Sequence, residues 1–117
     1  MTPQQGLLAR IHKNRELKIT VGRFVFTARR PTVIEAGRMR EAGRYGPADL
    51  AADHVVDWSG VTEDDLVGGG GTDQVPFDER LWREWCADRP DLWQPISAAV
   101  LEAFATYAKA QKEAPKN

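Results

Sequence analysis

Few residues of this chain have the chemistry of a catalytic or metal-binding group. It contains one cysteine, Cys86, and two histidines, so an internal disulfide and a multi-thiolate zinc site are both excluded. A catalytic thiol needs a base and an orienting group, whereas Cys86 follows Trp82 and Trp85 in a segment with helical apolar spacing. Since free cysteine is among the most buried residue types, we interpret Cys86 as a core residue.

His54 lies between two carboxylates, Asp53 and Asp57, that are spaced one helical turn apart. This pattern could contribute to a divalent-cation site. Hard cations take six or more oxygen ligands, and one face of one helix supplies too few. We therefore interpret the cluster as a solvated acidic surface and expect no bound metal.

The four-glycine run Gly68–Gly71 is the remaining motif that could bind a ligand, as a phosphate loop. It lacks the Lys-Ser/Thr pair that completes a P-loop, and we interpret it as a flexible connector. With no acid–base pair, triad or metal cluster in the sequence, we expect a protein that is not an enzyme and uses no cofactor.

Aromatic side chains are the best candidates for a functional surface. Three of the four tryptophans recur at apolar positions where a small helical domain needs bulk, and Trp58 ends a predicted helix, where a partner could reach it. The candidate core or partner-contact residues are Phe24, Phe26, Trp58, Trp82, Trp85 and Trp93.

Composition limits the class of protein. The 117 residues are 42% hydrophobic and 28% charged, which is typical of one globular domain with one core. No run approaches the roughly 18 apolar residues of a membrane-spanning helix, and the N-terminus lacks the apolar core of a secretion signal. We therefore expect the protein to stay in the cytosol.

The net charge of −1 conceals an asymmetry along the chain. Residues 1–46 carry ten Lys or Arg against three Glu, a net of +7, whereas residues 47–117 carry six basic against fourteen acidic groups, a net of −8. Such a pattern can reflect nucleic-acid binding, head-to-tail self-association, or pairing between halves that fold together. We favour the third, and the pI of 6.1 argues against a nucleic-acid platform.

Apolar periodicity defines the elements that must position these residues. We divide a single domain into an N-terminal arm or short helix (1–17), a β-hairpin (18–30), a helical part (31–112) and a frayed tail (113–117). Alternating apolar residues on both sides of Gly22 predict the hairpin. The predicted fold class is α+β, mostly α, with an N-terminal β-hairpin followed by four to five helices.

Capping residues set the limits of the predicted helices. Thr32 and Glu35 have capping-box spacing, which predicts a helix that stops at Gly43. A second helix is predicted from Ala48 to Trp58.

Three later segments are also predicted to be helical. Cap-like residues at Thr62 and Asp78 start two of them, and the last opens around Asp91 to Pro95 and continues to about Lys112. The apolar stripe of this last helix is Trp93, Ile96, Val100, Phe104 and Tyr107.

Three stretches, which together cover roughly residues 18–107, are similar to a known family. The first stretch is Ile19–Thr32, followed closely by Glu35. The second is Trp58–Thr62 with the loop after it, which is first acidic and then rich in glycine. The third is Val75–Asp78 with the segment that leads to Trp85 and on to Asp88–Trp93. In this pattern the chain resembles the tail assembly chaperones of long-tailed bacteriophages and prophages.

The resemblance implies a small, largely helical, cytosolic and non-enzymatic protein. Such chaperones bind the tape measure protein, keep that long helical chain soluble and help to recruit tail-tube subunits around it. A chaperone for an amphipathic helix needs an apolar groove ringed by charge, and we expect an exposed part of the aromatic stripe to supply it.

A different class of function remains open. The basic N-terminal half could belong to a small phage or bacterial nucleic-acid-associated regulatory module. The residues that would carry this alternative are Arg23, Arg29, Arg30, Arg38, Arg40 and Arg44.

The resemblance also predicts a property of the gene. Related chaperones are made as a short form and as a longer product of ribosomal frameshifting, and this chain looks like the short form. Pro115–Asn117 can be encoded as CCA AAA AAC, on which paired tRNAs can slip back by one base. Recoding Lys116 to AAG should then abolish the longer product on expression and leave the 117-residue protein unchanged. Codons CCG AAG AAT, or no overlapping frame downstream, would exclude slippage here.

Overall fold

The computed structural model describes residues 2–114, which form six helices and one three-stranded sheet. The elements are α1 (Pro3–Asn14), β1 (Glu16–Val21), β2 (Phe24–Arg29), α2 (Val33–Ala42), α3 (Pro47–His54), β3 (Val55–Ser59), α4 (Glu63–Val67), α5 (Glu79–Ala87) and α6 (Pro90–Glu113). The predicted α+β class, mostly α with an N-terminal hairpin, is confirmed. The proposed slippage site at Pro115–Asn117 lies outside the described residues.

The hairpin turns tightly at Gly22. Val21 pairs with Phe24, so the loop has two residues, and Gly22 has a φ of +60°. Since a positive φ at the first loop residue alone is typical of a type II′ turn, glycine is required there. This register places Ile19 opposite Phe26 on the face that becomes buried.

The second predicted helix, Ala48–Trp58, is correct only in its first part. The helix ends at His54, and Val55–Ser59 is a strand that pairs antiparallel with β2. The adjacent β-branched residues Val55 and Val56 favour a strand, and the free edge of β2 supplies the backbone partners. The sheet order is therefore β1-β2-β3, with β2 in the centre.

A β-bulge explains why the sequence of β3 has helical spacing. Val55 pairs with Ala28 and Asp57 with Thr27, so one extra residue is inserted into β3. Because of this insertion, Val55 and Trp58 are both buried although three residues apart, and Asp57 remains exposed. A spacing of three residues is thus produced here by a bulged strand.

Side-chain caps begin three of the helices as predicted. Thr32 Oγ1 accepts from Glu35 N at 3.1 Å, while Glu35 Oε1 accepts from Thr32 N at 2.9 Å. Thr62 forms the same reciprocal capping box with Asp65 at the start of α4, whereas Asp78 caps α5 by accepting from the backbone N–H groups of Arg80 and Leu81. Gly43 ends α2 in the left-handed conformation, with a φ of +69°.

One buried cluster joins the sheet to α3, α5 and α6. Its centre is Phe26, whose ring centroid lies 5.0 Å from that of Trp82 and 6.3 Å from that of Trp85. The buried members are Ile19, Phe26, Ala28, Leu50, Ala51, Val55, Trp58, Val61, Trp82, Trp85, Cys86, Leu92, Ile96 and Val100. This core uses three of the four tryptophans.

Ion pairing between the basic and acidic halves is limited. Of the six ion pairs within residues 2–114, only Arg23–Asp65 joins a residue of the first 46 to a later one. The other five pairs lie within one half or the other. Most of the opposite charges of the two halves therefore form no ion pair with each other within residues 2–114.

None of the helices in residues 2–114 combines the length and the apolar character that a bilayer-spanning helix needs.

The cap of α2 gives a first test. Thr32→Ala removes the hydroxyl that accepts from Glu35 N, and it should lower the free energy of unfolding by about 1 kcal/mol in urea denaturation. Thr106→Ala, at an exposed position within α6, is the control and should not lower stability, because alanine has the higher helix propensity.

This difference should also depend on pH. Partial burial raises the pKa of Glu35, but the hydrogen bonds from Thr32 and the nearby His54 and Arg15 outweigh it, and the pKa is lowered. A lowered pKa stabilises the folded state above the ordinary glutamate range, and this contribution is lost as the pH falls through the folded value. Thr32→Ala keeps the backbone N–H that donates to the Glu35 carboxylate and removes only the contribution of the hydroxyl. The difference in stability between wild type and Thr32→Ala should therefore shrink in part on acidification, and equal stability at neutral pH would contradict the role of the cap.

Candidate partner-binding groove

An open, mainly apolar groove runs between α2, the loop after it, and the middle of α6. Its volume is about 520 Å³. The lining residues are Pro31, Ala36, Met39, Arg40, Gly43, Tyr45, Gly46, Pro47, Leu50, Leu101 and Phe104. We call this feature the groove.

The groove exists because α2 packs loosely while α3 packs closely on α6. Ser97 on α6 donates a hydrogen bond to the carbonyl oxygen of Pro47, which holds the first turn of α3 against α6. By contrast, Ala36 is the one buried residue of α2. The space between α2 and α6 therefore stays open, with Leu50 as a buried floor and Leu101, 51% exposed, on one wall.

Tyr45, which lines the groove, belongs to a polar network centred on Asp53 that lies outside the groove. Tyr45 donates its hydroxyl to Asp53 Oδ2 at 2.8 Å, and Arg83 from α5 lies 2.9 Å from Asp53 Oδ1. Burial and the hydrogen bond to Asp53 raise the pKa of Tyr45 above its ordinary value. Arg83 also lies 3.1 Å from Glu79, so the network fixes the loop after α2 to α3 and α5.

The structure places most of the candidate aromatic residues in the core. Phe26 and Trp82 have no exposed surface, and Trp85 is also buried. Phe24 and Trp93 are half-buried and pack against the same cluster. None of these five lines the groove.

Trp58 also lies in the core instead of at a reachable helix end. Only 6% of its surface is exposed, and its indole N–H donates to the carbonyl oxygen of Val75 at 2.7 Å. Its ring makes edge contacts with Phe77 at 5.1 Å and Trp85 at 5.8 Å. The reason is that Trp58 belongs to β3, whose inner face covers the core.

The apolar stripe of α6 is only partly available to a partner. Ile96 and Val100 are fully buried, and the Arg30 guanidinium lies 3.6 Å from the ring centroid of Tyr107. Phe104 is half-buried and lines the groove. The accessible part of the stripe is therefore Phe104, beside the exposed Leu101.

Sequence reasoning missed the other groove residues. Met39, Tyr45 and Leu101 were not candidates, because each is an isolated apolar or aromatic residue outside the stripe. The spacing of Leu101 gives a weak indication that it lies beside Phe104: Ser97, Leu101 and Phe104 are four and three residues apart and therefore lie on one face of α6.

Cys86 and His54, the candidates for catalytic or metal-binding chemistry in the sequence, have structural roles in the fold. Cys86 is buried, and this burial raises the pKa of its thiol, which disfavours a nucleophilic thiolate. His54 is buried with Nδ1 2.8 Å from the carbonyl oxygen of Leu50, which requires a proton on Nδ1. Within the described part of the chain, no group of three His, Cys, Asp or Glu side chains is arranged to bind a metal ion.

The glycine run folds back on α4. Gly69 N donates to Asp64 Oδ1 at 2.7 Å, and Asp64 N donates to the carbonyl oxygen of Gly71 at 3.0 Å. A Cβ atom at Gly70 would come within 2.7 Å of Glu63 Cγ. The run is therefore a compact loop held by backbone and carboxylate hydrogen bonds.

Three of the six arginines of the alternative function have partners within the chain. Arg23 pairs with Asp65, and Arg29 Nε lies 3.5 Å from Glu16 Oε2. Arg30 stacks on Tyr107. The remaining three, Arg38, Arg40 and Arg44, are exposed on α2 and the loop after it.

No protein-family model, curated protein or solved structure matches this chain.

The Tyr45–Asp53 hydrogen bond gives a second test. Tyr45→Phe removes it and should lower the free energy of unfolding by about 1 kcal/mol near neutral pH. Because the folded state raises the pKa of Tyr45, its contribution is complete below the ordinary tyrosine pKa of about 10 and is lost as the pH rises further. The difference in melting temperature between wild type and Tyr45→Phe should therefore become smaller above that pH.

The matched control is Tyr107→Phe, which keeps the ring under Arg30 and removes a hydroxyl with no hydrogen-bond partner in residues 2–114. At neutral pH, Tyr107→Phe should lower the free energy of unfolding by less than Tyr45→Phe does. Equal losses in the two variants would contradict a specific role for the Asp53 network.

Proposed function

We propose that this chain is a non-enzymatic tail assembly chaperone of a long-tailed bacteriophage or prophage. In the cytoplasm of the bacterial host it binds the tape measure protein and assists assembly of the tail tube around it. The sequence resemblance suggests this role, and the open apolar groove beside α6 is the observation that supports it.

The groove suits the apolar face of an amphipathic helix. Such a helix presents side chains at i, i+3, i+4 and i+7 to a hydrophobic channel. Leu101 and Phe104 on α6 and Met39 on α2 provide apolar walls on opposite sides, and Leu50 closes the floor. A tape measure protein is a long helical chain, so its apolar stripe needs cover of this kind before tail-tube subunits surround it.

The polar groups at the rim suit a chaperone that releases its client. Arg40 lines the groove and is exposed, so it can pair with a carboxylate of the bound helix. Such exposed pairs add little affinity, but they orient the partner and weaken as the salt concentration rises. Binding then depends mainly on the apolar contacts.

Co-expression with the tape measure protein of the same phage or prophage tests the proposal. Wild type should raise the soluble fraction of that protein and co-purify with it. Leu101→Asp places a charge on the groove wall and should weaken binding by at least about tenfold, the effect expected at a buried contact. Circular dichroism should show that the variant is folded, because the side chain of Leu101 is half exposed.

Ile34→Asp is the matched control. It makes the same substitution at an exposed apolar residue, 68% exposed, on α2 outside the groove. It should bind like wild type. No effect of folded wild type on the solubility of the tape measure protein would contradict the function, whereas equal binding by both variants would place the contact outside the groove.

The same proteins test the nucleic-acid alternative. Salt-sensitive binding of DNA or RNA that is lost on replacing Arg38, Arg40 and Arg44 with Gln would favour a regulatory module, because neutralised phosphates release counterions.

A further inference from the structure

The N-terminal helix exposes an apolar face that nothing in the described chain covers. Helix α1 has no buried residue, and Leu7, Leu8 and Ile11 are 56%, 52% and 47% exposed. The helix is nevertheless well formed, with Thr2 and Gln5 in a capping box. Because an isolated helix of this length is marginal in water, α1 is stabilised most when its apolar face is buried by another molecule.

The shape of the molecule supports this view of α1 as an arm. The radius of gyration is 16.1 Å and the longest extent is 59 Å. A compact chain of this length has a radius of gyration of about 13 Å. The molecule is therefore extended, and α1, none of whose residues is buried, contributes to its outer surface together with the long helix α6.

The charge of α1 indicates what kind of surface it binds. Residues 1–15 contain Arg10, Lys13 and Arg15 and no acidic residue, a net of +3. Two such arms packed against each other across a two-fold axis would bring these like charges together. An acidic surface with an exposed apolar residue is the complementary partner.

The outer face of α5 has this character. Leu81 is 41% exposed, and Glu84 and the C-cap residue Asp88 follow it at i+3 and i+7, so the three lie on one side of α5. Arg80 is exposed beside this face, and its guanidinium lies 3.7 Å from the carboxylate of Asp78. Glu84 and Asp88 form no ion pair within residues 2–114. The opposite face of α5 carries Trp82 and Trp85 into the core, so α5 is rigidly held.

We propose that α1 of one copy docks on the outer face of α5 of a second copy. Leu7 and Ile11 pack against Leu81, while Arg10, which follows Leu7 at i+3, lies beside the carboxylates of Glu84 and Asp88. The two surfaces are different parts of the chain, so the contact is heterologous and joins molecules head to tail. This contact does not involve the groove and is independent of the proposed chaperone function.

Sedimentation velocity with two complementary variants tests the docking. The arm variant carries Leu7→Asp and Ile11→Asp, and the face variant carries Glu84→Lys and Asp88→Lys. Wild type should form oligomers that grow with protein concentration and dissociate as salt is added. Each variant alone should be monomeric at concentrations where wild type associates, which corresponds to at least a tenfold loss of affinity.

Mixing the two variants gives the decisive result. The arm variant keeps an intact α5 face and the face variant keeps an intact α1, so the mixture should form a one-to-one dimer and nothing larger. Val33→Asp, at another exposed apolar residue, should associate like wild type. Circular dichroism should confirm that all variants are folded.

Three results would overturn the proposal: a wild type that is monomeric at every concentration and salt, an arm variant that still associates, or a mixture that stays monomeric. A face variant that associates while the arm variant does not would indicate pairing between two copies of α1 instead.

Discussion

The packing of Phe26 against Trp82 and Trp85 determines how the parts of this molecule are arranged. Phe26 lies on the central strand, is fully buried and pairs in register with Trp58 on β3. Its neighbours therefore come from the hairpin, from the third strand and from α5, which are far apart in the chain. Aromatic side chains bury large areas and have preferred pair geometries, so this one contact fixes α5 and β3 relative to the hairpin.

The concentration of aromatic residues in the core limits what remains for binding. Trp58, Trp82 and Trp85, which the sequence predicts as possible partner contacts, instead form the core between the sheet and its helices. The groove is instead built from smaller or more flexible apolar residues, chiefly Met39, Leu50 and Leu101, with the edge of Phe104. Unbranched methionine adapts to different partner shapes, which suits the long helical client that we propose for the groove.

The groove and the exposed face of α1 are two apolar surfaces of residues 2–114, and they differ in setting. The groove is concave and is lined in part by Arg40, whereas the apolar face of α1 is convex and belongs to a helix whose charged residues are all basic. We propose that the concave groove binds a helix of another protein and that the convex α1 docks on an acidic surface of a second copy. The charge asymmetry of the sequence thus has a structural counterpart, because few ion pairs join the two halves internally.

The sequence by itself determined the features that depend on neighbouring residues. The turn at Gly22, the caps at Thr32, Thr62 and Asp78, and the stop at Gly43 all follow from local backbone conformation and local hydrogen bonds, and the structure contains each of them. Only the tertiary structure decided the rest. Val55–Ser59 became a strand because β2 offered a free edge and a bulge kept Val55 and Trp58 on the buried side. The groove could not be predicted because its walls come from segments more than fifty residues apart, and no local pattern records which of them will meet.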